Sequence, residues 1–400
     1  MACIVSRQGY IAMQKEETAM ASTIDRRMAL IVLNMLPGMG PGRKQLLMEC
    51  FGAPEEILST SEAALAQVHG IGPKLANVIH NWGKYCNPEE EQRLAANAGI
   101  RIVTDEDSDY PQMLREIHDP PICIYVRGSC ELLQNTEYAV AIVGSRNASS
   151  YGIRMAGRLA TEASYAGSPV ISGLARGIDT AAHEATLRAG GRTIAVIGSG
   201  MGCIYPPENV PLAMSIIGQG GAVVTEFPIH YQPDRRSFPM RNRIISGLSR
   251  GTIVVEAGEK SGSLITAAQA LEQNRTVFAV PGMADSPFSK GCHALIRDGA
   301  VLTESFQDVI DDFTGLPGLK KPEAEKPEPP PKVSLKELRL SGLEQKLWDI
   351  VQRGVESIDD VIDISEEEPS CVIAALLALE LKRLIRQMPG RRIKRLVDAE

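Results

Sequence analysis

The sequence contains no Cys-x-x-Cys pair: its eight cysteines stand singly at 3, 50, 86, 123, 130, 203, 292 and 371. Scattered thiols exclude a disulfide framework and a thiolate metal centre; they fit a reduced, cytoplasmic setting, and nothing in the pattern calls for a metal or a cofactor. Long hydrophobic runs are missing as well. The longest, Cys371–Leu379, is far too short to cross a bilayer, and the N-terminal stretch lacks the apolar segment of a signal peptide, so no membrane role is expected. Cationic excess is also absent, since 42 Lys and Arg face 49 Asp and Glu for a net charge of −7. That balance excludes nucleic-acid binding by bulk electrostatics and requires any such site to be a local basic patch on an acidic body. Aromatic residues make up only 4% of the chain, so a ring set among cations is informative.

A chain of 400 residues exceeds what one core organises, and its pattern changes along its length. Residues 1–22 show no periodicity and read as an N-terminal extension. Residues 23–95 read as an all-α helix–hairpin–helix (SAM-like) domain, with the paired phrases LPGMG (36–40) and VHGIG (68–72) each leading into a helix that carries Arg43 and Lys44 or Lys74. Such hairpins either offer glycine N–H groups to a phosphate or serve as a compact protein-binding module; both readings stay open. Residues 96–135 read as a connecting segment. From 136 to 313, apolar runs (AVAIV at 139, PVIS at 169, RTIAVI at 192, AVVTE at 222, TIVVE at 252, TVFAV at 276) alternate with helical stretches. This predicts an α/β fold, a Rossmann-like, doubly wound, mostly parallel sheet between helix layers. Residues 314–335 form a linker in which LPGLKKPEAEKPEPPPK holds six prolines, and 336–400 have the three-helix and basic-hairpin outline of a winged-helix domain.

In an open parallel sheet the ligand lies beyond the carboxyl ends of the strands. There the sequence places Gly144-Ser145-Arg146, then SGLARGID with Ser172, Gly173 and Arg176, then EAGEKSGS with Lys260, Ser261, Gly262 and Ser263. Small residues beside cations suit phosphate oxygens. For Arg146 and Arg176 the alternative is an internal ion pair with Asp179 or Glu256. A dinucleotide turn would need two more glycines after Gly144, where this chain has Arg146. A second signal is RRSFPMRNR (235–243), in which Arg235, Arg236, Arg241, Asn242 and Arg243 surround Phe238. A ring amid guanidinium groups is how single-stranded nucleic acid is gripped, although a core phenylalanine with solvated arginines fits the same letters. His183, four residues after Asp179, reads as a helix-packing residue, because no matched nucleophile accompanies it.

These motifs closely resemble the DNA-processing protein A family, also called DprA or Smf: GSR at 144–146, SGLARGIDTAAH at 172–183, YPPEN at 205–209, FPMRNRIISGLS at 238–249, VVEAGEKSGSLITA at 254–267 and the LI-x-x-GA phrase ending at Ala300. The resemblance implies a cytoplasmic, non-catalytic protein that binds single-stranded DNA, forms a homodimer and helps load the RecA recombinase in transformation or recombination. Carried across, its DNA contacts are Arg146, Ser172, Gly173, Arg235, Phe238, Asn242, Lys260 and Ser261. Its dimer region is GCHALIRDGA (291–300), with Leu295 and Ile296 in the interface; packing of both under Val301 and Phe306 in a monomer is the alternative. His293 departs from the asparagine usual in the family. Two other functions remain open. A phosphoribohydrolase-like nucleotide enzyme would need a glutamate where Thr266 and Ala267 stand. A protein-interaction adaptor working through the end domains would leave RRSFPMRNR unexplained.

Overall fold

The computed structural model describes residues 24–314, and 340–395 apart from 354, 356, 366, 383 and 389–391. The N-terminal extension and most of the proline-rich linker therefore lie outside the described residues. The chain divides into two compact units on either side of that linker, each described here by itself.

The first unit is built on nine strands: β1 (Arg101–Thr104), β2 (Cys123–Gly128), β3 (Val140–Val143), β4 (Val170–Ser172), β5 (Thr193–Val196), β6 (Ala222–Thr225), β7 (Gly251–Val254), β8 (Thr276–Ala279) and β9 (Val301–Leu302). Their order in the sheet is β1-β2-β6-β5-β4-β3-β7-β8-β9. From β6 to β9 all neighbours are parallel, as predicted from the six apolar runs. Strand periodicity explains why those runs are apolar throughout. Val140 and Ile142 of β3 pack with Ala156, Leu159 and Ala160 of the helix Ser150–Tyr165, while Ala141 and Val143 pack with Ile244, Ile245 and Ala267 on the opposite face.

The segment 96–135 does more than connect. It contributes β1 and β2, which run antiparallel to each other and, through β2, to β6, extending the sheet. The N-terminal helices pack on this extension: Leu30, Leu33, Leu47 and Ile79 share a core with Ile102, Ile122, Cys123 and Tyr125. Polar ties fix the contact. Asn34 Nδ2 donates to the Glu226 carbonyl at 3.0 Å, and the buried Glu91 carboxylate accepts from the Ile229 N–H at 2.7 Å. Both hairpins turn at a glycine with positive φ, Gly38 at 80° and Gly70 at 90°, and each following helix opens with a proline. Lys44 is already spoken for by Asp105 at 2.5 Å, and Arg43 donates to the Gly38 carbonyl of its own hairpin; Lys74 is exposed.

In the second unit the helices Gly342–Gln352, Ile358–Ser365 and Pro369–Leu381 surround the buried Trp348, and β10 (Ile385–Met388) pairs antiparallel with β11 (Arg392–Arg395). Ser341 and Glu344 form a reciprocal capping box at the start of the first helix. This is the winged-helix arrangement. Of the basic hairpin residues, Arg391 and the side chains of Arg392, Lys394 and Arg395 lie outside what is described. No helix of the described residues is long and apolar enough to cross a membrane.

His183 illustrates how the helix layer is sealed. It is fully buried on the helix Ile178–Arg188, with Nδ1 2.7 Å from Thr193 Oγ1, which itself donates to the Val170 carbonyl. Thr193 therefore accepts, His183 carries its proton on Nδ1, and Nε2 has no partner. Burial, reinforced by the charge of Arg241, pushes the imidazole pKa down from 6.5 to about 3. The unfolded chain then binds a proton below pH 6.5 that the folded chain refuses, so this contribution to stability is full above about pH 6.5 and declines as the pH falls toward 3. A thermal-melting series from pH 7 down to about 5 should show a falling midpoint in the wild type and a shallower fall in His183→Gln. Equal slopes for the two proteins would contradict the buried neutral imidazole.

A candidate nucleic-acid interface

After β3 the chain builds β4, β5 and β6 on one side, then crosses back to place β7 on the other, so the loops after β3 and β7 diverge. A crevice of about 760 Å³ opens there, lined by residues of the GSR turn, of the loops 233–235 and 261–263, and of the helix Ser237–Gly247. A smaller cavity of about 230 Å³ lies beside it, and Arg146, Phe238, Tyr205 and Arg241 border both.

The GSR turn is held from behind. The Ser145 N–H donates to the Glu256 carbonyl at 2.8 Å, and the Ser145 carbonyl accepts from Ile178 at 3.2 Å. A Cβ on Gly144 would lie 2.6 Å from Ile178 Cγ1, so this glycine serves close packing of turn against helix. Gly177, with φ of +78°, is equally constrained, since its Cβ would meet the Ser145 carbonyl at 2.3 Å. The Glu256 carboxylate accepts from the Ser149 N–H at 2.8 Å and from its hydroxyl at 2.5 Å. Glu256 is thus a strut of the turn and not the ion-pair partner of Arg146.

RRSFPMRNR divides by helical periodicity. Phe238, Arg241, Asn242 and Ile245 recur every three to four residues and line the crevice, with Arg235 exposed at its edge. Arg243 falls on the opposite side. It is buried between Glu226 at 2.5 Å and Asp119 at 3.0 Å and does not reach the crevice, which corrects its assignment to the binding set. Arg241 is the floor: also buried, it donates through Nη1 to the carbonyls of Gly173, at 2.5 Å, and of Val196. Burial lowers its pKa to about 10, with Asp179 acting in the opposite direction. The cation persists at neutral pH. Asp179, itself raised by burial and held down by Arg241, accepts from the Ala175 N–H at 3.3 Å.

Phe238 is half-buried and neither sealed in the core nor free. The Arg146 guanidinium stands 5.1 Å from its ring centroid, and the Tyr205 ring is 5.8 Å away at 52°. Asp234 sets the start of this helix by accepting from the backbone N–H groups of Arg236 and Ser237, which hold its pKa below the ordinary carboxylate value. Tyr205 was not anticipated. It lies in the YPPEN phrase, and its 41% exposure beside two prolines is the signal that marks it.

The remaining predicted residues are spread more widely. Ser172 is fully buried and donates to the Ile142 carbonyl at 2.6 Å, so its hydroxyl serves the sheet, whereas Gly173 borders the smaller cavity. Arg176 is exposed and paired with Glu208, a partner other than the Asp179 or Glu256 considered from sequence. Ser261, Gly262 and Ser263 line the crevice, with the two hydroxyls 2.8 Å apart; Lys260 is exposed next to them. Leu295 and Ile296 are half-buried against the sheet core that includes Cys292 and Ala279. His293, at the departure from the family pattern, has Nε2 3.1 Å from the Gly282 carbonyl and tethers that loop.

The family described as DNA recombination-mediator protein A matches residues 101–314. A DprA winged helix domain matches 323–391 and a SAM-like helix-hairpin-helix tandem matches 30–80. Protein Smf of Synechocystis is 32% identical over 393 residues, covering 90% of this chain and 97% of that protein. DNA processing protein DprA of Streptococcus pneumoniae is 45% identical over 207 residues, covering 52% of this chain and 72% of that one. The X-ray structure of S. pneumoniae DprA superposes with a TM-score of 0.62 at 34% identity, covering 73% of this chain and 99% of that one. With its nine-stranded sheet, its switch-point crevice and both flanking domains matched, the chain belongs to the DprA/Smf family.

Proposed function

We propose that this chain is a DNA-processing protein that binds single-stranded DNA without catalysis, in the cytoplasm, and hands the strand to a recombinase of the RecA class. The observation that carries the reading is Phe238, a half-exposed ring on a crevice whose exposed cations are Arg146 and Arg235. A single strand offers base faces to such a ring, whereas a duplex keeps them in its stack. In this mechanism a base takes its place against Phe238 and Arg146 turns to an adjoining phosphate, with Arg235 and Lys260 meeting phosphates on either side. The names of the relatives, DNA processing proteins within a recombination-mediator family, support the DNA substrate and the hand-over.

The carboxylates of the crevice favour binding over hydrolysis. Asp179 faces Arg241 at the floor, and Asp234 is spent on backbone N–H groups. Thr266 lines the crevice where a phosphoribohydrolase would place its acid. Release of free base on incubation with nucleoside monophosphates would replace this reading with the enzymatic one.

Titrations of single- and double-stranded DNA over a salt series test the proposal. Phe238→Ala should weaken single-strand binding by about 1–3 kcal/mol with the salt slope unchanged. Arg146→Ala, Arg235→Ala and Lys260→Ala should each flatten log K against log salt by about 0.7. Wild-type affinity in a folded Phe238→Ala protein, or four identical slopes, would remove the crevice from the binding site. The reading also includes a homodimer through 291–300, where Leu295 and Ile296 retain partial exposure, so that two crevices engage one strand. Light scattering should give a dimer mass that Ile296→Arg halves without unfolding; a monomer at every concentration would end the dimer proposal.

A further inference from the structure

The winged-helix unit carries a surface that the DNA-binding reading does not use. On the helix Pro369–Leu381, Val372, Leu376 and Leu379 are buried in the unit's own core. Ile373, Leu377 and Leu381 recur every fourth residue on the outer side, with exposures of 48%, 52% and 77%. Ile364, at the end of the preceding helix, is 52% exposed. Single apolar residues on a surface are ordinary; three in file on one helix, with a fourth at the adjoining helix end, are not.

The charge around this file selects its occupant. Between Gly354 and Leu381 the sequence has eight acidic residues and no lysine or arginine. Asp360, Asp363, Glu367 and Glu368 are exposed, and Glu367 already holds Lys346 at 2.7 Å. A helix in this position of a winged-helix domain enters a DNA groove when its outer face carries polar and basic groups that reach bases and phosphates. Here that face is aliphatic, and its N-terminal end carries Glu367 and Glu368. A phosphate backbone or an anionic lipid surface meets like charge, and so does the same acidic face of a second copy.

We propose that Ile364, Ile373, Leu377 and Leu381 form a docking surface for a basic amphipathic helix of a partner protein. The occupant sets its own apolar residues, spaced three and four apart, against the file, and its flanking Lys and Arg meet Asp360, Asp363 and Glu368. The apolar file supplies affinity and the acidic surround supplies selection against anionic partners. This surface lies in a different unit from the crevice, so the proposal stands independently of single-stranded DNA binding.

The test uses the full chain and a fluorescent synthetic helix of roughly 18 residues with leucine at every third and fourth position and lysine or arginine elsewhere. The expected result is binding at least about tenfold tighter than to a shuffled peptide of the same composition. Leu377→Asp should abolish that preference, and the pair Asp360→Lys with Asp363→Lys should weaken it. Leu377→Gln, which introduces no charge, guards against misfolding, and unaltered circular dichroism with unaltered single-stranded DNA affinity confirms that the chain is intact. Equal binding of aligned and shuffled peptides would overturn the proposal, as would a preference that survives both Leu377 substitutions. So would duplex binding, or self-association in light scattering, that Leu377→Asp removes.

Discussion

A guanidinium buried at the carboxyl ends of two parallel strands holds the crevice together. Arg241 reaches the carbonyl of Gly173, just beyond β4, and that of Val196, the last residue of β5. Its own helix carries Phe238 and Asn242, so one side chain fixes the height of that helix over two strand ends. A buried cation is costly unless its hydrogen bonds and countercharge are supplied together. The two carbonyls and Asp179 supply them here. Removing Arg241 would leave Asp179 buried without its countercharge and two carbonyls without a donor. Gly173 follows from the same constraint, because a Cβ there would lie 2.6 Å from Arg241 Nη1 and 2.7 Å from Asp179 Oδ2. The small residue makes room for the pair.

The parallel strands were legible because burial on both faces forces an unbroken apolar run, and each of the six predicted runs contains a strand. β1 and β2 were not. β2 is preceded by Pro120 and Pro121, and β1 begins at an exposed Arg101, so neither stands out as a bounded run in a proline-rich stretch. What places them is tertiary: β2 lies between β6 and β1, and its Tyr125 is covered by the N-terminal helices. The site was legible as a set of loops but not residue by residue. Composition treats the arginines of RRSFPMRNR alike, whereas helix geometry turns Arg243 toward Glu226 and leaves Asn242 on the crevice. Ser172 shows the same limit, since a strand-end serine is equally suited to a ligand or to the neighbouring strand's carbonyl, and it takes the latter.

Charge is allocated locally on a chain that is acidic overall. The cations exposed at the crevice are few, and several other arginines are consumed internally: Arg243 by Glu226 and Asp119, Arg275 by Glu116 and the Met113 carbonyl. Such interior pairs contribute nothing to the field a ligand meets. The net charge of −7 therefore coexists with a basic crevice, and the acidic surplus collects elsewhere, notably on the winged-helix unit between 354 and 381. An anionic strand on such a body is drawn toward the crevice and repelled from the winged-helix face, a division of surface that suits the two proposed partners.

The GSR turn shows why a strand–turn–helix unit need not be a dinucleotide site. In a dinucleotide fold, successive glycines thin the turn so that a pyrophosphate can lie against backbone N–H groups at the helix start. Here Gly144 is consumed by contact with Ile178, and the Ser145 N–H is bonded to the Glu256 carbonyl. Ser149, which caps the next helix by accepting from Gly152 at 3.1 Å, has its own N–H and hydroxyl bound by Glu256. With those donors occupied and a carboxylate standing behind the helix start, the turn offers little to a pyrophosphate pressed against the backbone. What remains free to meet an anion is the exposed Arg146 side chain, which reaches outward to a phosphate some distance from the turn. That geometry suits a phosphodiester passing across the crevice mouth, and it makes the arginine of the motif the functional counterpart of the glycines that are missing.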